Sequence, residues 1–173
     1  ELLSHLDHPG IVKIVAYGIL EDSGLPFIAM EWLDGEDLSR RQRKDPLSIR
    51  QAVELSILIA TALETAHQAG VIHRDIKPGN IVLTSRTGDP GSLDVVPKLV
   101  DFGTAASGDI RITRNGDVVG TPAYMAPEQA RGDAPIDVRS DIYSLGATLF
   151  ELVAGRPPHV GPTPIATLAR LVT

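Results

Sequence analysis

Residues 73–80 read His-Arg-Asp-Ile-Lys-Pro-Gly-Asn, and Asp101-Phe102-Gly103 follows after a short apolar stretch. The first segment supplies a carboxylate (Asp75), an ammonium (Lys77) and an amide (Asn80). The second supplies a carboxylate beside a glycine hinge. Two carboxylates, one amide and one ammonium converging on a point are what a magnesium-bound nucleoside triphosphate and a hydroxyl nucleophile require. The rest of the chain has to bring these two segments together.

Composition narrows the setting. The chain has 173 residues, enough for one domain with one core. A net charge of −6 argues against a nucleic-acid surface. No cysteine is present, which excludes disulfides, cysteine-zinc sites and thiol nucleophiles and fits a reducing, cytoplasmic compartment. No run of 18 apolar residues is long enough to cross a membrane. The five histidines, His5, His8, His67, His73 and His159, have no metal-ligand spacing and read as structural or surface groups.

The positioning elements can be placed in outline. Residues 1–6 read as the tail of a helix that His8-Pro9-Gly10 stops. Residues 11–19 and 27–32 are apolar and β-rich, and a turn at 21–24 makes them an antiparallel pair; Asp34-Gly35 breaks the second strand. Residues 48–69 give the clearest helix, opened by a capping box of Ser48 and Gln51 and stopped by Gly70. Its core stripe is predicted as Ala52, Val53, Ser56, Ile59, Ala60, Leu63 and His67. Residues 71–72 and 81–83 are predicted as short strands flanking the first chemical segment, and 95–100 as a strand feeding Asp101. Residues 84–93 read as a surface turn or insertion, and 104–119 as a mobile loop. A second helix, 141–154, is apolar around most of its surface and is therefore predicted to be buried. A third begins at Ile165.

These motifs, in this order, resemble the catalytic domain of a serine/threonine protein kinase, and the likeness covers nearly the whole chain. Besides the two opening segments it rests on Gly120-Thr121-Pro122-Ala123-Tyr124-Met125-Ala126-Pro127-Glu128 and on Ser140-Asp141-Ile142-Tyr143-Ser144-Leu145-Gly146. One such motif is weak evidence; four in correct order and spacing are specific. The run at 120–132 resembles the eukaryotic-type kinases of bacteria. The implied fold class is α+β and protein-kinase-like: residues 1–33 contribute a helix end, two strands and the hinge of the N-terminal lobe, and 34–173 a mainly helical C-terminal lobe.

The resemblance also implies roles. Asp75 is the base that accepts or orients the substrate hydroxyl proton. Lys77 neutralises charge on the transferred group, Asn80 and Asp101 hold Mg²⁺, and Thr121 bridges Asp75 and Lys77. ATP meets the backbone of Glu31 and Leu33 at the hinge, with Met30 behind the adenine, Val82 beneath it and Asp37 near the ribose. Trp32 is read as hinge packing. His73 and Phe102 are expected to be structural, packed in a spine with Leu3 and Ile14, and Asp141 to anchor the backbone of the 73–75 segment. Arg74 implies pairing with a phosphorylated loop. Thr113 is read as the modifiable site and Asp117 as a partial phosphate mimic, beside the plainer reading of a solvated loop. The implied partner is a protein bearing Ser or Thr, with further domains or an anchor outside this chain.

Three family parts have no counterpart in the sequence: a Gly-rich loop, a Val-Ala-x-Lys strand and its partner Glu. Glu1 lies at the wrong spacing from His8-Pro9 to be that Glu. The Arg that would pair with Glu128 is also absent. The chain by itself is therefore expected to be inactive, although its parent would be a kinase. The rival readings are a pseudokinase or regulatory scaffold, disfavoured by intact catalytic residues, and a small-molecule kinase, disfavoured by the peptide-positioning segment 120–128.

Overall fold

In a computed structural model, residues 4, 6–85, 95–102, 122–132 and 135–172 are described. Residues 1–3 and 5 of the predicted opening helix and the loop 104–119 lie outside them, as do residues 86–93 of the predicted insertion.

The first strand pair forms, but shorter than the β-rich runs suggest. Strand β1 spans Ile14–Ile19 and pairs antiparallel with β2, Pro26–Met30, in the register Ile14↔Met30 and Tyr17↔Ile28. Residues 10–12 do not extend β1, because their backbone groups are used elsewhere. Val12 N–H donates to Leu99 O (3.0 Å), and Leu99 N–H donates to Gly10 O (2.8 Å). These bonds tie the entry of β1 to the segment before Asp101.

The predicted strands at 81–83 and 95–100 form, and residues 35–37, which read as a strand break, join them in a second, three-stranded antiparallel sheet. Its order is β3 (Gly35–Asp37), β4 (Ile81–Ser85), β5 (Val95–Leu99). Gly35 begins a strand instead of ending one. A Cβ there would lie 2.2 Å from Leu83 O, so only glycine permits this approach of the two backbones. Helix α1, Leu38–Lys44, follows at once, with the Asp37 carboxylate accepting from Arg40 N–H (2.8 Å).

Helix α2, Ile49–Gln68, carries the expected Ser48–Gln51 capping box. Its buried face is turned relative to the predicted stripe. Leu55, Ala62 and Ala66 join Ala52, Ser56, Ile59 and Leu63 inside, while Val53 is exposed and Ala60 only partly covered. The predicted strand at 71–72 does not form. Val71 N–H closes on Ala66 O, and the following backbone is held by a side chain instead of a strand partner.

A short helix α3, Pro127–Arg131, precedes α4, Val138–Ala154, which starts three residues earlier than predicted because Asp137 caps it at Arg139 N–H. The expectation that α4 is buried all round is corrected. Its inner face carries Ser140, Asp141, Ser144, Ala147, Thr148 and Leu152, whereas Ile142, Phe150 and Val153 are exposed. On this inner face Asp141 satisfies the backbone N–H groups of His73 and Arg74 in the loop packed on it. Helix α5, Pro164–Val172, matches the predicted third helix. The core runs from α2 to the second sheet through Leu38, Ile59, Leu63, Ile76, Ile81 and Leu99. Among the described residues, no helix is long and apolar enough to cross a membrane.

Candidate active site

The turn that brings the first chemical segment together is short and proline-led. Pro78 opens a 3-10 turn, Pro78–Asn80, that folds Asn80 back over Asp75. The Asn80 amide donates to Asp75 O (2.9 Å) and Oδ2 (2.8 Å). Lys77 Nζ donates to the same Oδ2 at 2.6 Å. The structure therefore brings Asp75, Lys77 and Asn80 into one cluster. Asn80 is buried, and its two N–H bonds fix the amide, which leaves Oδ1 as its acceptor atom.

Two non-glycine residues have left-handed backbones: Arg74 (φ 69°) and Asp101 (φ 62°). Each costs about 1–3 kcal/mol and persists only where its surroundings hold it. Arg74 is held from both sides. Its N–H donates to Asp141 Oδ1 (2.8 Å), and its carbonyl accepts from Gln129 Nε2 (2.9 Å). Asp141 also accepts from His73 N–H (2.9 Å) and contacts His67 Nε2 (2.7 Å). It is fully buried, and these bonds make that burial tolerable.

His73 joins the two chemical segments. Its Nε2 lies 2.9 Å from Val100 O, its Nδ1 accepts from Asp75 N–H (3.3 Å), and its ring lies 4.4 Å from Phe102. This pattern assigns the proton to Nε2 of a neutral ring. Burial pushes the imidazole pKa down, opposed in part by the Asp141 charge and the Val100 carbonyl. Val100 N–H also donates to Asn80 O (3.1 Å). Asp101 is thereby carried next to the loop that bears Asp75.

On the other side, Met30, Ile28, Ile14, Phe102 and Asp101 line a cavity of about 90 Å³. Ile14 thus meets Phe102 across this space, while Leu3 lies outside the described residues. Leu33 and Val82 are half-buried. Val82 pairs in register with both Asp37 and Lys98. The Glu31 carboxylate accepts from Lys98 Nζ (2.6 Å) and Lys13 N–H (2.9 Å). Burial raises its pKa, but these two donors outweigh that and hold it below the ordinary carboxylate value. Trp32 corrects the sequence reading. It is 91 % exposed and packs against nothing in the hinge.

Thr121, Thr113 and Asp117 lie outside the described residues. Glu128 accepts from Ser140 Oγ (2.5 Å). Gln129, Lys98 and His67 were missed as site-building residues. Their partners lie 55, 67 and 74 residues away, so no local pattern reports them. Among the described residues no three His, Cys, Asp or Glu side chains form a metal cluster. The hard oxygens of Asn80 and Asp101 fit Mg²⁺ instead, which takes few protein ligands and completes its shell with phosphate and water.

Comparison with known proteins agrees with this geometry. Residues 1–169 match the protein kinase domain. The chain is 42 % identical over 167 residues to a probable serine/threonine-protein kinase of Corynebacterium efficiens, covering 93 % of this chain and 24 % of that protein. It is 40 % identical over 166 residues to serine/threonine-protein kinase PknB of Mycobacterium leprae, covering 93 % and 25 %. The kinase domain of Mycobacterium tuberculosis PknI superposes with a TM-score of 0.71 at 31 % identity, over 99 % of this chain and 62 % of that one. The chain spans about a quarter of the length of the curated relatives it matches. Fold, motif order and similarity together make this chain a member of the protein kinase domain family.

Proposed function

We propose that the protein carrying this chain transfers the γ-phosphoryl group of Mg-ATP to Ser or Thr hydroxyls of protein substrates. Residues 1–33 form the strand-and-hinge part of the catalytic domain and 34–173 its helical lobe. The observation that carries the reading is the cluster of Asp75, Lys77 and Asn80 on a loop pinned from beneath by Asp141.

In this reading Asp75 accepts or orients the proton of the substrate hydroxyl. Lys77, already paired with Asp75, offsets charge on the transferred group and on the base. Asn80 Oδ1 and the Asp101 carboxylate would hold Mg²⁺, which when bound would neutralise charge on the phosphates. Thr121 bridges Asp75 and Lys77. The backbone of Glu31 and Leu33 holds the adenine between Met30 and Val82, and Asp37 reaches the ribose. Segment 120–128 positions the acceptor peptide. ATP supply places the domain in the cytoplasm, and the greater length of the relatives supports additional domains in the whole protein.

The test is Asp75→Asn in the full-length protein, with phosphate transfer to a Ser/Thr peptide as the readout. A fall of about 10²–10⁴ in kcat is expected. Transfer at the unmodified rate would remove Asp75 from its role. Arg74, Thr113 and Asp117 form the proposed regulatory set, Thr113 being phosphorylated and paired with Arg74. An unmodified Thr113 in the active protein, together with a fully active Thr113→Ala variant, would remove that part alone.

A further inference from the structure

We infer that Gln129 is a positioning residue that couples the peptide-docking segment to the catalytic loop. The inference rests on the kinase reading above and gives a role to a residue of the 120–132 run to which the resemblance assigns none.

The Gln129 amide uses both of its ends. Oε1 accepts from Ala126 N–H (3.0 Å), inside the segment that precedes α3. Nε2 donates to Arg74 O (2.9 Å), in the catalytic loop. One planar group therefore spans two stretches of chain more than fifty residues apart. The side chain is 6 % exposed, so water cannot readily replace either bond.

Its partner is the important one. Arg74 has a left-handed backbone and immediately precedes Asp75. Its N–H is held by Asp141 and its carbonyl by Gln129. Releasing the carbonyl frees the strained residue to relax, and that rotation would swing Asp75 away from Lys77 and Asn80. Gln129 is also fastened to the docking side. The neighbouring Glu128 binds Ser140 of α4, and Tyr124 OH donates to Glu151 of α4 (2.5 Å). Docking segment and catalytic loop thus share α4 as a base, and Gln129 is the direct bridge between them. Its two hydrogen bonds reach neither the hinge nor β1–β2, so its loss should leave nucleotide binding intact.

Two substitutions in the full-length protein separate positioning from simple support. Gln129→Glu is isosteric: it keeps the acceptor for Ala126 N–H and replaces the donor with an oxygen facing the Arg74 carbonyl. Gln129→Met keeps the volume and loses both bonds. Both are expected to lower kcat for a Ser/Thr peptide by about 10-fold or more, with Mg-ADP affinity, read by calorimetry, within two-fold of the unmodified protein. The inference is overturned if kcat stays within two-fold in both variants. It is equally overturned if kcat, Mg-ADP affinity and folded fraction fall together, because the amide is then a structural support only. If the unmodified protein transfers no phosphate, the kinase reading fails and takes this inference with it. Unmodified transfer with indifferent variants fails the inference alone.

Discussion

The two sides of the candidate site are built in opposite ways. The catalytic loop is held from beneath by fully buried polar groups, with Asp141 alone contacting His73, Arg74 and His67. The hinge side hangs on a two-stranded sheet whose residues are nearly all exposed, Val15 and Ile19 among them at 68 % and 69 %. Its links to the second sheet are the backbone bonds at Leu99 and the partly exposed Glu31–Lys98 pair. The groups proposed to take part in proton transfer sit on anchors that water cannot reach. The groups proposed to meet a nucleotide sit, within this chain, on an element with few buried contacts. Local stability follows the amount of buried contact, so within this chain the two sides should differ in it.

The contrast breaks most readily at Asp141. Asp141→Ala leaves two backbone N–H groups and His67 Nε2 without their acceptor in a dry interior. Loss of one partner from a buried charged network costs about 3–5 kcal/mol. The thermal midpoint of the catalytic domain should then fall on the order of 10 °C, and kcat should fall with it as Arg74 loses its support. A midpoint unchanged by Asp141→Ala would mean that the deep anchor contributes nothing, and the contrast would disappear.

Acid should reach the same side at a smaller cost. Burial lowers the His73 pKa from its ordinary value of 6.5, so the folded ring resists protonation that the unfolded chain accepts. Below pH 6.5 the unfolded state therefore holds more protons, and stability falls as pH drops, by at most about 1.4 kcal/mol per unit for one site. Above pH 6.5 the effect is absent. His73→Phe keeps a ring against Phe102 and removes the proton site. The pH dependence of the thermal midpoint between 7.5 and 5.5 should be shallower in that variant. Identical slopes would mean that His73 takes up no fewer protons folded than unfolded.

Legibility in the sequence divides along the same line. The catalytic cluster was readable because Asp75, Lys77 and Asn80 lie within six residues and Pro78 with Gly79 marks the turn between them. Helix α2 was readable because its cap and apolar spacing are local signals. Its exact face was not, since Val53 and Leu55 are equally apolar and only the packing of Ala62 and Ala66 decides which turns inward. Strand β3 was hidden because Gly35 reads as a breaker until Leu83 lies against it. Helix α4 misled in the other direction. Several of its apolar residues, Ile142, Phe150 and Val153, face outward, and its inner face carries Asp141, which serves a loop that starts 68 residues earlier. Gln129 and Lys98 were unreadable for the same reason: a single amide or ammonium gives no sign of which distant backbone or carboxylate it will meet.

The smallest predicted effect tests the hinge side directly. Glu31 and Lys98 keep 30 % and 17 % of their side-chain surface in water, so their pair should contribute no more than about 1 kcal/mol to stability at neutral pH. The carboxylate nonetheless fixes the residue whose backbone would meet adenine, since Glu31 also receives Lys13 N–H and donates its own N–H to Lys13 O (2.9 Å). Lys98→Met keeps the stem of the side chain and removes the charge. It should raise the KM for ATP by about two- to five-fold in the full-length protein, leaving kcat and the thermal midpoint nearly unchanged. High salt should mimic the substitution in the unmodified protein and add little in the variant. If Lys98→Met instead lowered kcat and stability as Asp141→Ala does, the hinge would rest on an anchor of the same kind, and the two sides of the site would not differ in the way their burial indicates.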